Sequence, residues 1–334
     1  MLILGIESSC DDSAAAVLQT EHPGQGVVRS SVVANQDDIH RAFGGIVPEL
    51  ASRNHVVAIT PIVQRALESA GCQLGDIDAI AVTRGPGLVG SLLVGLMYAK
   101  GLAHSLEVPM VGINHLEGHL LAPLLEHRLT MPFLALVVSG GHTALFVVED
   151  FGRYREVGRT RDDAAGEAFD KVAKMMALGY PGGKIIDEMS RRGNHKRIRL
   201  PRARVKGAPL DFSFSGIKTA VATFLRSEAA VGVAAEDLAA SFQETVVEML
   251  IRPTLAAARQ FNVSTIVLTG GVAANTRLRE RLTQAAADEG RRVVAPSLKY
   301  CTDNAAMIAM AGSWRLLRGE RDPLDIDAEA NLPL

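Results

Sequence analysis

Apolar residues in the first 130 positions form short runs of strand length, interrupted by one long stretch with helical spacing. Three apolar runs come first, and helices and strands then alternate. The predicted elements are strands at 2–6, 14–18 and 27–33, a helix at 48–70, a strand at 77–82, a helix at 91–104 and a strand at 109–113. This order predicts an α/β lobe with a mixed sheet.

The same order of elements begins again near residue 133. A strand, a polar turn and a second strand open both halves of the chain, near residue 4 and near residue 135. The predicted elements are strands at 133–138, 143–148, 154–158, 265–268 and 292–295, and helices at 164–176, 235–258, 274–287 and 304–317. We expect lobes at 1–130 and 131–334, with the last helix able to pack back on the first lobe, and a ligand in the cleft between them.

Composition indicates a soluble protein of the cytoplasm. The 334 residues are 48% apolar and 22% charged, which suits a folded chain with a sizeable core. The three cysteines are far apart and form no CxxC pair, so a disulfide framework is not expected. No signal peptide is evident, and the apolar stretch at 91–97 is shorter than the ~20 residues of a membrane span.

Positive charge is concentrated in one segment, although the chain has 35 basic and 37 acidic residues. Residues 191–206, called the basic segment below, contain eight Lys or Arg, one His and no acid. One interpretation is a solvated loop. The other is a surface that binds phosphates, because Lys and Arg there would displace the counterions of a nucleic acid.

The sequence HLEGH at 115–119 follows a predicted strand and opens a helix. Residues four apart share one helix face, so His115 and His119 are candidates to bind one metal ion, or else a surface or core pair. In the zinc peptidase motif HExxH the glutamate directly follows the first histidine. Here Glu117 stands one position later, on a different face, which disfavours a peptidase.

A third metal ligand is available in the sequence TDN at 302–304, just before the last predicted helix. Thr302 or Asp303 would be a normal cap for that helix. Alternatively, Asp303 completes a site of two histidines and one carboxylate with open positions, which suits Fe²⁺ or Zn²⁺. Spacing alone leaves both interpretations open.

Four glycine turns indicate a nucleotide site. Turns at 85–90 and 270–275 join a strand to a helix, the turn at 139–142 joins two strands, and the turn at 180–183 follows a helix. Amides at strand-to-helix turns favour phosphate, although glycine turns are also common without a ligand. Asp170, Lys171 and Asp187 are either ribose ligands or exposed helix charges. No P-loop sequence GxxxxGK[ST] is present.

Seven motifs occur together in one order along the chain. They are GIESSCDD at 5–12, HLEGH at 115–119, VSGGHT at 138–143, GYPGG at 179–183, FSFSG at 212–216, GGVAAN at 270–275 and TDN at 302–304. From residue 2 to about 318 the chain closely resembles the tRNA threonylcarbamoyladenosine transferase family (TsaD). The resemblance implies the actin-like ATPase/sugar kinase (ASKHA) fold, an α/β fold of two ribonuclease-H-like lobes around a central cleft.

The same resemblance implies transfer of threonylcarbamoyl from threonylcarbamoyl-AMP to N6 of adenosine 37, forming t6A in tRNAs that read codons beginning with A. It implies that His115, His119 and Asp303 bind one divalent metal ion. Fe²⁺ is the expected ion, and Zn²⁺ and Mg²⁺ are alternatives. ATP or ADP is a further candidate for the adenylate site. The implied adenylate ligands are Val137, Val138, Ser139, Gly140, Gly141, Asp170, Gly183, Asp187 and Asn275.

The chemistry of this substrate predicts a general base and no covalent nucleophile. The acyl carbon of a carbamoyl–phosphate anhydride is already activated, whereas the exocyclic amine must lose a proton. We expect Asp11 to be the base, with Glu7 as the alternative. Cys10 beside it is expected to be a buried thiol.

The resemblance also implies partners. These are tRNA, with the basic segment as a candidate contact, an inactive paralogue of the same fold (TsaB-like) and a small P-loop ATPase (TsaE-like). Rival functions are an ATP-dependent small-molecule kinase of the same fold, a metallopeptidase and a non-catalytic scaffold. A kinase would leave the histidine pair and the basic segment unexplained, and a scaffold would have little use for a metal triad.

Overall fold

The computed structural model describes residues 1–334, and its first sheet has five strands in the order β3-β2-β1-β4-β5. Strand β1 pairs antiparallel with β2 and parallel with β4, which pairs parallel with β5. The strands are β1 (Leu2–Glu7), β2 (Ser13–His22), β3 (Gln25–Ala34), β4 (Ala79–Gly85) and β5 (Met110–Asn114). The helices are α1 (Asp37–Arg41), α2 (Pro48–Ala70), α3 (Val89–Leu106) and α4 (His115–Leu121).

The second sheet repeats this topology in the order β8-β7-β6-β9-β10. Strand β6 again pairs antiparallel with the next strand and parallel with the strand that follows later in the chain. The strands are β6 (Phe133–Val138), β7 (Thr143–Asp150), β8 (Arg153–Arg159), β9 (Thr265–Thr269) and β10 (Arg292–Val294). The helices are α5 (Ala165–Met175), α6 (Gly182–Ser190), α7 (Ser215–Leu225), α8 (Ala235–Gln260) and α9 (Thr276–Ala287). The predicted repeat of element order is therefore confirmed.

The last two helices are α10 (Leu298–Cys301) and α11 (Ala305–Leu317), and they belong with the first sheet. Unit 1 consists of Met1–Leu129 and Pro296–Leu334, whereas unit 2 consists of Thr130–Ala295. The expected second lobe at 131–334 thus includes a segment that the structure groups with unit 1. The physical reason is that α11 packs on β1, β2 and β4, burying its apolar face there.

Small side chains allow α11 to lie close to the sheet of unit 1. Ala14 and Ala16 of β2 form a buried cluster with Ala305 and Ala306 of α11. A Cβ on Gly5 of β1 would lie 2.2 Å from the carbonyl oxygen of Ala305. The close approach therefore requires glycine at position 5, and it fixes where α11 begins.

Helix α3 is the one helix of the structure that is long and apolar enough, by length and composition alone, to cross a membrane. It is longer than the apolar stretch noted in the sequence. Its buried residues include Leu92, Leu96 and Ala99, and it packs against α2 and β4 as core helices do. A membrane location is not supported.

Four helices fall outside the sequence-based prediction, and one of them is α10, which has only four residues. Helix α1 has only five residues, and α6 begins at two consecutive glycines, Gly182 and Gly183, which obscure helical periodicity. Helix α7 has few buried residues, Ile217 and Val221, and so carries a weak pattern. Residues 191–214 between α6 and α7 contain no helix or strand, apart from an isolated bridge at Phe212.

We expect Gly5→Ala to lower the free energy of unfolding by about 1–3 kcal/mol, because the added methyl group would push α11 away from β1. Urea unfolding measures the change. The matched control is Gly101→Ala in α3, where an added Cβ meets no atom within 4 Å. That variant should gain about 0.5–1 kcal/mol from the lower flexibility of its unfolded chain. Equal stability of the two variants would contradict the close packing of α11.

Candidate functional site

Helix α4 presents His115 and His119 on one face. Its N-cap is Asn114 at the end of β5, whose Oδ1 accepts a hydrogen bond from the amide of Leu116 at 2.9 Å. Both imidazoles are buried, and their ring centroids lie 4.8 Å apart with an angle of 85° between the planes. The four-residue spacing brings the two rings together because residues i and i+4 lie one above the other on a helix.

Asp303 joins this pair from the residue before the cap of α11. Its Oδ1 lies 3.1 Å from Nε2 of His119 and 3.5 Å from Nε2 of His115. The cap of α11 is Asn304, whose Oδ1 accepts a hydrogen bond from the amide of Met307 at 2.9 Å. The interpretation of Thr302 or Asp303 as the helix cap is therefore wrong, and the Asp303 carboxylate faces the imidazoles instead.

The three side chains have the donor set and spacing of a metal site. Their ligand atoms all lie within 4.8 Å of one another. Ligand atoms about 2.1 Å from one ion lie about 3.0–3.4 Å apart in octahedral or tetrahedral geometry, close to the two distances from Asp303. Two imidazoles and one carboxylate suit Fe²⁺ or Zn²⁺ and leave positions open for a substrate.

A buried carboxylate behind the ligands fixes the orientation of His115. Oε2 of Glu7 lies 2.9 Å from Nδ1 of His115 and accepts a hydrogen bond from Oγ1 of Thr83 at 2.7 Å. Its Oε1 accepts a hydrogen bond from the amide of Ser9. A proton on Nδ1 that is donated to Glu7 leaves Nε2 facing Asp303, the arrangement found behind many histidine ligands.

The position of Glu7 does not suit the alternative role of general base. The side chain is fully buried, and both of its oxygens accept hydrogen bonds. A base must reach the proton that it removes. The structure instead places the Glu7 carboxylate where it orients the imidazole of His115.

The charges in this cluster are strongly linked. Burial alone would lower the pKa of His115, but the carboxylates of Asp303 and Glu7 outweigh burial and raise the pKa to about 9. Burial would likewise raise the pKa of Glu7, but the charge and hydrogen bond of His115 lower it. Without metal, His115 is an imidazolium at neutral pH. Metal must displace that proton, so metal affinity rises with pH up to about 9.

The loop after β1 brings further carboxyl groups to this region. Burial, assisted by the charge of Asp303, raises the pKa of Asp11 and raises that of Asp12 to about 8. Burial and the charges of Asp11 and Asp303 raise the pKa of the Cys10 thiol well above its ordinary value, so the thiol stays protonated.

His55 of α2 holds this loop in place. Its Nδ1 accepts a hydrogen bond from the Ser13 hydroxyl at 2.6 Å, and its Nε2 donates to the Cys10 carbonyl at 3.0 Å. Burial lowers the pKa of His55, so it is neutral here, as this donor and acceptor pair requires.

Unit 2 contains a cavity of about 520 Å³ beside α6 and the start of α9. Asp187 lines it, and its Oδ2 accepts hydrogen bonds from Thr276 and Arg191, both at 3.0 Å. Oδ1 of Asp187 and Oγ of Ser190 are buried and have no hydrogen-bond partner within the protein. Buried polar atoms without a partner are costly, so these two atoms indicate a polar ligand such as a ribose.

Two other expected adenylate ligands have structural contacts in unit 2. Oδ1 of Asn275 caps α9 by accepting from the amide of Leu278, and its Nδ2 donates to Gln243 at 2.7 Å. Oδ1 of Asp170 accepts from the amide of Gly182 at 2.8 Å, which holds the turn before α6. Asn275 directly precedes Thr276, which donates a hydrogen bond to Asp187. Asp170 instead supports the backbone of the glycine turn before α6.

The glycine turns of unit 2 lie at the ends of strands. Val137 and Val138 are buried at the end of β6, and a Cβ on Gly270 at the end of parallel β9 would lie 2.4 Å from the Val138 carbonyl oxygen. The turns after both strands therefore meet at the same edge of the sheet, where α/β proteins bind ligands.

Three of the expected adenylate ligands have open space around their α-carbons. A Cβ on Gly140, Gly141 or Gly183 would meet no atom within 4 Å. Ser139 precedes this open part, and its amide donates to His142 at 2.8 Å within the turn. Backbone that is open in this way is accessible to a ligand.

The turn at 85–90 in unit 1 does not fit the phosphate interpretation. The Gly87 amide donates to the carbonyl of Ala330 at 3.1 Å, and a Cβ on Gly85 would lie 2.0 Å from the carbonyl oxygen of Glu329. The C-terminal segment therefore occupies the space that a phosphate would need.

Comparison with known proteins gives a family for this arrangement. The family model TsaD, tRNA N6-adenosine threonylcarbamoyltransferase, matches residues 27–310. The chain belongs to the TsaD family. Three similar relatives are named tRNA N6-adenosine threonylcarbamoyltransferase. The protein of Syntrophotalea carbinolica is 52% identical, and the match covers 100% of this chain and 97% of the relative. The proteins of Anaeromyxobacter dehalogenans strain 2CP-C and Clostridioides difficile strain 630 are 53% and 49% identical, and the matches cover 98% and 100% of this chain and 98% of each relative.

Solved structures support the actin-like ATPase fold expected of the TsaD family. The nucleotide-bound form of HypF has a TM-score of 0.62 at 14% identity, covering 95% of this chain and 55% of that chain. Component A of (R)-2-hydroxyglutaryl-CoA dehydratase from Acidaminococcus fermentans has a TM-score of 0.56 at 14% identity, covering 96% and 98%. At such identities the likeness concerns the fold alone.

The position of Glu117 disfavours a peptidase. Its Oε1 accepts a hydrogen bond from Nε1 of Trp314 in α11 at 3.2 Å. A zinc peptidase needs this carboxylate beside the metal as a general base. Here it lies against α11 and takes part in packing.

Acidic residues from other segments partly neutralise the basic segment. Arg191 pairs with Asp187 at 3.0 Å, Arg192 with Glu236 at 3.8 Å, and Arg202 pairs closely with Glu248. The other basic residues of the segment have no acidic partner within 4.0 Å; they are Lys196, Arg197, Arg199, Arg204 and Lys206. Positive charge remains, but on fewer residues than the sequence indicates.

Sequence reasoning missed four residues of these sites. His55, Ser190 and Thr276 stand outside the selected groups, and Gln243 lies in the middle of α8. The sequence offers one usable signal, because Thr276 directly follows the GGVAAN motif. The others depend on contacts between distant segments.

We expect Glu7→Gln to weaken metal binding about 10- to 100-fold, because an amide no longer fixes the Nδ1 proton of His115 as a carboxylate does. Anaerobic calorimetry with Fe²⁺, or calorimetry with Zn²⁺, measures the affinity. The matched control is Glu117→Gln, which changes a buried carboxylate of α4 that bonds to Trp314. The same loss in both variants would show that Glu7 has no specific role behind the metal.

Proposed function

We propose that this protein transfers the threonylcarbamoyl group from threonylcarbamoyl-AMP to N6 of adenosine 37, forming t6A in tRNAs that read codons beginning with A. The observation that carries the proposal is the cluster of His115, His119 and Asp303, with Glu7 behind it, in a chain of the TsaD family. We propose that tRNA is the acceptor of the threonylcarbamoyl group at this site.

The adenylate is proposed to bind in unit 2. Asp187 Oδ1 would accept a hydrogen bond from a ribose hydroxyl, and Ser190 Oγ would donate or accept one, since both atoms are buried without a partner in the protein. The open backbone of Gly140, Gly141 and Gly183 would approach the phosphate. Val137, Val138, Ser139, Asp170 and Asn275 would shape the pocket through the contacts described above. ATP or ADP would fit the same pocket.

The metal centre is proposed to bind the threonylcarbamoyl end of the substrate. A divalent ion held there, Fe²⁺ first and Zn²⁺ or Mg²⁺ as alternatives, would supply Lewis acidity to polarise the acyl oxygen or to orient the threonyl carboxylate. Glu7 holds His115 for this task, and His55 holds the loop of Asp11. No covalent nucleophile is required, and the protonated Cys10 thiol is unsuited to that role.

Asp11 is proposed as the general base that removes a proton from the N6 amine. Burial raises the pKa of its carboxyl group, which makes the carboxylate a stronger base than an exposed aspartate. Unlike Glu7, Asp11 is only partly buried, so the N6 amine of a bound tRNA could reach its carboxylate.

A TsaB-like paralogue and a TsaE-like P-loop ATPase are the proposed partners, and the cytoplasm is the proposed compartment.

Helices α2 and α3 offer a surface for the TsaB-like paralogue. They lie close together, since a Cβ on Gly90 would be 2.5 Å from Oγ of Ser52. Their exposed apolar residues are Val56, Val57, Val89, Leu93 and Met97. An exposed apolar patch of this kind is typical of a protein interface.

Replacing Leu93 and Met97 together by glutamate should abolish a complex with the TsaB-like paralogue of the same organism, because two charges would be buried at the apolar surface. Size-exclusion chromatography with light scattering measures the complex. Val231→Glu in unit 2, at a valine that is 84% exposed, is the control and should leave the complex intact. A stable complex of the double variant would place the interface elsewhere.

The activity itself is tested with labelled threonine, bicarbonate, ATP, the adenylate-forming enzyme, the partner proteins and tRNA. Label should enter tRNA only when this protein is present. Asp11→Asn should abolish transfer while threonylcarbamoyl-AMP binding stays near normal, because only the proton acceptor is lost. Asp38→Asn, at an exposed residue paired with Arg41, should retain full transfer.

Label in tRNA without this protein would refute the proposed function. Unchanged turnover of Asp11→Asn would refute only the identity of the base.

A further inference from the structure

A second cavity of unit 2, of about 430 Å³, has an unusual concentration of guanidinium groups. Five arginines line it; they are Arg202 and Arg204 of the basic segment, Arg252 and Arg259 of α8, and Arg281 of α9. Met249, Ile251 and Leu255 supply apolar lining. The cavity contains none of the residues assigned above to the metal or the adenylate.

Three of the five arginines are neutralised by glutamates. Arg202 pairs with Glu248, Arg259 with Glu289 and Arg281 with Glu244. Arg204 and Arg252 have no acidic partner within 4.0 Å and no hydrogen-bond acceptor in the protein. The cavity therefore carries two guanidinium groups that are available to a ligand.

These two groups are close enough to affect one another. Slight desolvation and the positive charge of Arg204 lower the pKa of Arg252, although its side chain is exposed. Like charges side by side are unfavourable, and an anion between them removes the repulsion. Guanidinium groups bind phosphate through paired N–H donors, so a phosphate is the anion that suits this site.

The surroundings favour a phosphate within a polymer. Both arginines are exposed, so the site is open to a long chain, whereas a pocket for a small free anion encloses its ligand. Lys196, Arg197, Arg199 and Lys206 extend unpaired positive charge along the same segment. Several separate positive charges match the repeated phosphates of a nucleic acid.

We propose that Arg204 and Arg252 clamp one phosphodiester region of the tRNA backbone. The identity of the polymer rests on the proposed function, whereas the phosphate chemistry rests on the two unpaired arginines. Their role is to position tRNA, since backbone contacts carry no base sequence information.

The test is the salt dependence of tRNA binding, measured by fluorescence anisotropy with unmodified labelled tRNA and the full chain. Arg204→Gln with Arg252→Gln should flatten the plot of log affinity against log salt concentration. Loss of the single phosphate that this pair neutralises reduces the slope by about 0.7–0.9. Arg259→Gln is the matched control, because it removes an arginine of the same cavity that is paired with Glu289. The control should keep the original slope.

An unchanged slope in the double variant overturns the proposal, and so does an equal change in Arg259→Gln, which would indicate a diffuse charge effect. Calorimetry with inorganic phosphate distinguishes a site for a free anion from a site for the tRNA backbone. If the double variant loses phosphate binding but keeps the original tRNA slope, the site binds a free anion and the proposed contact with tRNA is overturned.

Transfer kinetics separate this proposal from the proposed function. The double variant should show a raised KM for tRNA with unchanged kcat, because its arginines do not touch the reacting atoms. A lowered kcat at saturating tRNA would contradict a purely positioning role. If the unaltered protein binds tRNA with the predicted slopes but transfers nothing, the clamp stands and the proposed transferase activity fails.

Discussion

The hydrogen-bonded ion pair between Glu7 and His115 is the interaction on which the proposed metal centre depends. Glu7 is the last residue of β1, and it also accepts a hydrogen bond from Thr83 of β4, so one carboxylate joins two strands to the first residue of α4. A buried carboxylate is costly unless it is paired and hydrogen-bonded, and here both conditions are met. The pairing sets the direction of the imidazole, which is what a metal ligand needs.

Close packing brings the third ligand to this pair. Gly5 allows α11 to lie against β1, and Gly118 faces Ile308 and Met307 so that α4 can also approach α11. Because α11 begins just after Asp303, the two glycines determine the distance of that carboxylate from the histidines. The packing of α11 on the sheet of unit 1 therefore sets the geometry of the candidate metal ligands, and this geometry requires the C-terminal helix to lie with the N-terminal sheet.

The predictable features were those set by local patterns. Apolar runs predicted the two sheets and their shared order, and helical spacing predicted that His115 and His119 share a face. Features set by contacts between distant segments were not predictable. Whether Asp303 caps a helix depended on Asn304 taking that role, and the role of Glu7 depended on where α4 lies. The basic segment has no acid of its own, yet glutamates and an aspartate of other helices neutralise part of it.

The most direct measurement for the central claim is X-ray absorption spectroscopy at the iron edge of the Fe²⁺-loaded protein. The arrangement of His115, His119 and Asp303 predicts one iron per chain with scattering from two imidazoles and otherwise oxygen neighbours at about 2.0–2.2 Å. His119→Ala should reduce the imidazole scattering by half. A spectrum without imidazole scattering, or one that His119→Ala leaves unchanged, would contradict the assignment of the metal centre.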